Sequence, residues 1–171
     1  MVTEEQEYID AIWTDWPAGR EASLELLAMA EEAVAAYPQS SKLWCMRGDL
    51  IQLGETESRY QLSDSLESCR RAIAVDPTFA EAYESVGYYF DVIEEDFPLS
   101  EDAFRQAVKL GAGKDSFIGL ARVVAEQGRY EEALQLLTTE NCPFSGDLEV
   151  EKIRRQIEAR MWAPSPEKLK R

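Results

Sequence analysis

Tyr83 and Phe117 stand 34 residues apart, and each begins the same short pattern, a spacing that limits the chain to few architectures. Tyr83 leads to Val86-Gly87 and Phe90, Phe117 leads to Leu120-Ala121 and Val124, and 39 residues before Tyr83 the residue Trp44 leads to Arg47-Gly48 and Ile51. The first of these units is therefore longer by about five residues, placed by its composition between Gly54 and Ser63. A second, small-residue pattern alternates with the first: Ser65, Cys69 and Ala72 before Pro77, Ser100, Phe104 and Ala107 before Gly111-Ala112, then Ala133 and Leu137. Leu26, Ala30 and Ala33 precede Pro38, which lies 39 residues before Pro77, so the period extends upstream. Self-similarity at this length means a repeat architecture, in which each unit buries its apolar face only against its neighbours.

Both patterns place apolar residues three and four apart, the helical spacing, and no stretch alternates with period two. Ala, Leu, Glu, Arg and Gln dominate between the breaks at Trp16-Pro17-Ala18-Gly19, Pro38-Gln39-Ser40, Gly54 to Ser63, Asp76-Pro77-Thr78, Asp96-Phe97-Pro98, Gly111-Ala112-Gly113, Gln127-Gly128 and Asn141 to Gly146. These breaks delimit about nine helices. Thr3 and Gln6 have the spacing of a capping box for the first helix. The stretch 163–171, with two prolines and a basic end, reads as a frayed extension beyond the last helix.

Taken together, these residues resemble the tetratricopeptide repeat (TPR), whose 34-residue unit carries an aromatic, Leu-Gly and a second aromatic on one helix and small and aromatic positions before a proline on the next. The resemblance implies an all-α protein, a right-handed superhelix (α-α solenoid) of helix-turn-helix repeats forming a single domain over 1–171. A diverged hairpin would occupy 3–40, three repeats 41–79 (with an insertion near 54–63), 80–113 and 114–146, a capping helix 147–162 and a flexible tail 163–171. Arg47 stands where leucine is usual and Ala121 replaces glycine. Gly48, Gly87 and Ala121 are the positions that let the partner helix approach. Ile153, Ile157 and Met161, four apart, would cover the last open face, leaving Lys152, Arg154, Arg155 and Glu158 toward water.

Composition narrows the function. With 33 acidic against 18 basic residues the net charge is -15, a field that repels phosphate backbones and anionic membranes and attracts basic partners. Neither nucleic acid nor a membrane is therefore an expected partner. Histidine is absent, which removes the commonest general base and imidazole metal ligand. Cys45, Cys69 and Cys142 are widely spaced and odd in number, fitting a reducing cytoplasm better than a disulfide framework or thiolate zinc site. Glu55-Thr56-Glu57 and Glu94-Glu95-Asp96 lack the calcium-loop pattern and read as solvated loops. No apolar run spans a membrane, and the acidic N-terminus is unlike a signal peptide. No catalytic residue, cofactor or metal is expected.

The resemblance also implies a concave groove lined by the first helix of each repeat. Counting each first aromatic as position 4, positions 2, 5, 9 and 12 share a face away from the packing stripe. They are Lys42, Cys45, Asp49 and Gln52, then Glu81, Glu84, Tyr88 and Asp91, then Asp115, Ile118, Arg122 and Ala125. A peptide segment bearing Lys or Arg would pair there with Asp49, Glu84 and Asp91 and stack on Tyr88, the one member of the cluster Tyr83, Tyr88, Tyr89 and Phe90 expected to project from the core. Family members that clamp a chaperone's terminal carboxylate use Lys, Asn and Arg at positions that here are Cys45, Asp49, Ser85, Asp115 and Gly119, so that clamp is not expected. Cys45 reads as a small filler whose acidic neighbours would raise its pKa. The expected role is a protein-protein interaction scaffold, not an enzyme. An acidic holding chaperone for a basic client is the alternative. A monomer is expected, with terminal helices able to stack end to end.

Overall fold

The computed structural model describes residues 4–19, 21–54 and 59–161. Thr3 of the expected capping box, the acidic run Glu55-Thr56-Glu57, and the segment 162–171 lie outside the described residues. Among the described residues the chain is helical, and it divides into two compact units, 1–86 and 87–171.

The first unit contains α1 (Glu4–Thr14), α2 (Leu24–Ala36), α3 (Ser41–Gln52), α4 (Leu62–Val75) and most of α5 (Ala80–Tyr88). Serines start two of these helices: Ser23 Oγ accepts from the Leu26 amide and Ser40 Oγ from the Leu43 amide, each at 3.2 Å. Each satisfies a donor that the first helical turn leaves without an intrahelical partner. Ile12, Leu27, Ala30, Leu43, Met46 and Leu50 form the core shared by α1, α2 and α3. At Gly48 a Cβ would lie 2.8 Å from Cys69 Sγ, so α3 and α4 approach as closely as the repeat pattern requires. Arg47, the departure from the family pattern, is explained by its surroundings. Its Nε donates to Glu31 on α2 at 2.7 Å and its Nη1 to Ser68 Oγ on α4. A leucine there would remove the guanidinium that donates to Glu31.

The second unit holds the end of α5, a π-helical turn (Tyr89–Ile93), α6 (Phe97–Lys109), α7 (Lys114–Glu126), α8 (Tyr130–Leu136) and α9 (Leu148–Glu158). Asp96 caps α6 through the Leu99 amide at 3.1 Å, and Pro98 sits in the first turn, where no intrahelical N–H is lost. Phe104 is fully buried between two glycines. A Cβ on Gly87 would meet its ring at 2.8 Å, and one on Gly119 would come closer still. The third close approach therefore belongs to Gly119 as well as to buried Ala121.

Two details depart from the sequence reading. The π-helical turn inserts a residue into the α-helical register, so Asp91 is only 6% exposed while Val92 is 67% exposed. At the other end, α9 packs Val150, Ile153 and Ile157 into the core, and Met161 is 67% exposed. The stripe fails at Met161 because α9 ends at Glu158 and Arg160 turns the chain at φ 53°, which breaks the fourfold register. Lys152, Arg155 and Glu158 are exposed as expected, whereas Arg154, expected to face water, is half-buried beside Glu151 and Glu158.

Candidate partner-binding face

In the first unit, the expected groove positions come from α3 and α5. Lys42, in the first turn of α3, holds its Nζ 5.5 Å from the centroid of the Trp13 ring on α1 and 5.7 Å from that of Phe79, just before α5. Trp13 leans on Trp16, the ring centroids 4.7 Å apart and the planes tilted by 35°. One turn along α3 the face closes inward. Cys45 is buried, its Sγ 3.4 Å from Ser85 Oγ and donating to Asp49 Oδ2 at 3.8 Å. Burial and the adjacent Asp49 carboxylate push the Cys45 thiol well above its usual pKa, so it is a protonated filler. Burial also raises Asp49, to about 6, with the charge of Glu84 adding to it and the Ser85 hydroxyl and Lys42 opposing it. Glu81 is exposed, and Glu84 and Gln52 are half-buried.

The second unit uses the same kind of position differently. Position counting leaves Asp91 open to a partner's cation, but its carboxylate is ion-paired with Arg122 on α7 and almost wholly buried. The π-helical turn that carries it inward makes it a structural carboxylate. Tyr88, expected to project as an aromatic anchor, is instead half-buried, packs edge-on against Phe104 at 5.0 Å and donates its hydroxyl to the Asp115 carbonyl at 3.2 Å. Ile118 is half-buried against the core and Ala125 is fully buried. Of the four α7 positions, only Asp115 is exposed.

Sequence reasoning missed two features. One is a buried-edge ion network, where Glu101 on α6 accepts from Arg105, Arg129 and Gln127, and Arg105 and Arg129 converge on Glu132 of α8. Burial pushes Glu101 up, but these donors outweigh it and its pKa is lowered. The other is the arrangement of Trp13, Lys42 and Phe79. Trp13 lies in the diverged first hairpin, where the repeat count assigns no groove register, so spacing alone could not connect it with Lys42.

No family model matches the chain. It is 30% identical over 112 residues to anaphase-promoting complex subunit 3 of Schizosaccharomyces pombe, a match covering 65% of this chain and 16% of that protein's length. Among solved structures it superimposes on a thermophilic TPR protein of Thermus thermophilus with a TM-score of 0.70 at 17% identity, over 93% of this chain and 82% of that one. Two structures of MamA are also similar, both at 17% identity. One has a TM-score of 0.61 over 92% of this chain and 87% of the other, and the second 0.58 over 100% and 99%. The helix order, the glycine-mediated close approaches and these superpositions agree: the chain has the fold of a tetratricopeptide-repeat protein.

Proposed function

We propose that the chain is a protein-binding scaffold module that holds a peptide segment with basic residues against the exposed side of α3 and α5 in the first unit. The observation that carries this reading is the charge arrangement there. Half-buried Asp49 feels the charges of both Glu84 and Lys42, and Glu81, one helical turn before Glu84, is exposed. At the corresponding places of the second unit Asp91 is neutralised by Arg122. Charge of one sign on an accessible face raises the encounter rate with a basic partner and selects against acidic ones. The similarity to a subunit of a multiprotein complex is in keeping with such a role. Nucleophilic catalysis does not suit the cluster closest to a reactive arrangement, Cys45, Asp49 and Ser85, because burial holds its thiol protonated.

The test is affinity capture with the wild type, a Glu81→Lys/Glu84→Lys variant and an Asp115→Lys variant, each first shown by circular dichroism to be folded. Loss of a basic protein from the first variant, with retention by the second, is the expected result. Equal retention by all three overturns the assignment to the first unit. Charge reversal at Asp91 is unsuitable, because it would put a lysine against Arg122.

A further inference from the structure

Resting on that reading of the first unit, we propose that the rings of Trp13 and Phe79 form a receptor for one lysine or arginine side chain of the partner, and that Lys42 fills it as an internal stand-in while the chain is unbound. The two rings come from different elements, the last turn of α1 and the corner before α5, yet both lie within cation–π range of one ammonium, at 5.5 and 5.7 Å. Trp13 is 49% exposed, a large aromatic surface left open to solvent, and its contact with Trp16 holds it as a platform.

The stand-in is displaceable because Lys42 has a flexible four-carbon stem. A partner's cation can take the same place while Lys42 swings toward water. The surroundings favour a cation over an anion: Asp49 feels the Lys42 charge directly and the charge of Glu84 as well. An anionic side chain would have to enter against both carboxylates.

The sign of the Lys42 effect is diagnostic. Binding of a capped nonapeptide of alternating lysine and glycine to the full chain is measured by calorimetry at low salt, alongside its glutamate counterpart. The proteins are the wild type, Lys42→Ala, Trp13→Leu and the double variant. Trp13→Leu keeps apolar bulk at a half-exposed position while removing the electron-rich face of the ring. Lys42→Ala is expected to bind the lysine peptide several-fold tighter, Trp13→Leu several-fold more weakly, and the double variant to lose most of the gain. Weaker binding by Lys42→Ala, no binding by it, or a gain that survives unchanged without Trp13 overturns the receptor, the last because it reduces the effect to net charge. Glutamate-peptide binding that depends on Lys42 overturns it as well. Glu81→Lys/Glu84→Lys separates this inference from the broader reading. If that variant binds the lysine peptide as the wild type does, the acidic face itself is wrong. If it loses binding while Trp13→Leu does not, the face stands and the ring site falls.

Discussion

Asp49→Asn should stabilise the first unit at pH 8 and leave it nearly unchanged at pH 4. The Asp49 carboxyl rises from its usual 3.8 to about 6, first because it is buried and then because Glu84 is close. At about 1.4 kcal/mol for each tenfold change in proton affinity, keeping this group ionised in the folded state costs about 3 kcal/mol. The sign follows from the direction of the rise. The folded chain holds this proton more tightly than the unfolded chain, so Asp49 contributes most favourably below 3.8, and that contribution is lost as the pH climbs through about 6. Asparagine has nearly the same shape and no charge, and its side chain can still bond to the Ser85 hydroxyl. Urea unfolding of both proteins at pH 8, 6 and 4, followed by hydrogen exchange of peptides from α3, reports on the first unit without requiring one transition for the whole chain. Carboxylates remote from Asp49 titrate alike in the two proteins and cancel in the difference, and Glu84, freed of the Asp49 charge, titrates lower in the variant and adds to the gain. The variant should gain up to about 3 kcal/mol at pH 8 and little at pH 4. A difference that does not change with pH, or one that grows toward acid, would refute the reasoning.

Two further substitutions test the packing and charge of the second unit. Gly119→Ala places a Cβ well inside 3.0 Å of Phe104, a ring also confined by Gly87, and should destabilise by about 1–3 kcal/mol despite alanine's higher helix propensity. Gly146→Ala, with nothing within 4 Å of the added carbon and no left-handed φ, is the near-neutral control in the same thermal or urea titration. Arg122→Met strands the buried Asp91 carboxylate and should cost about 3–5 kcal/mol, whereas Arg122→Met with Asp91→Leu should recover most of that loss in a double-mutant cycle. Tolerance of Arg122→Met alone would mean that Asp91 is hydrated and open to a partner after all.

The sequence-derived architecture agrees with the structure because packing leaves periodic traces. Gly48 against Cys69, and Gly87 against Phe104, are close approaches at a fixed register, and the small-residue series Ser65, Cys69, Ala72 and Ser100, Phe104, Ala107 is wholly buried. A face is harder to read than a stripe. Position counting assumes an unbroken α-helix, and the π-helical turn after Tyr88 violates that assumption, which is why Asp91 belongs to the interior. No residue in Tyr89–Ile93 announces the wider turn, since neither proline nor glycine occurs there. Met161 fails for a related reason, a left-handed residue just before it.

Net charge misleads in a different way, because it counts groups without showing which are already engaged. Glu31, Glu101, Glu132 and Asp147 each meet an arginine or lysine of the chain, and in each the donors hold the carboxyl below its usual pKa. Asp91 is neutralised by Arg122. These carboxylates join helices within their own units and present little field to a partner. Asp49 shows the opposite response: burial, with the charge of Glu84 adding to it, raises its pKa despite the opposing pull of Ser85 and Lys42. A carboxylate whose pKa is raised gains from any cation brought beside it, and one whose pKa is already lowered gains less. On that argument a cation brought beside Asp49 gains more than one brought beside these paired carboxylates.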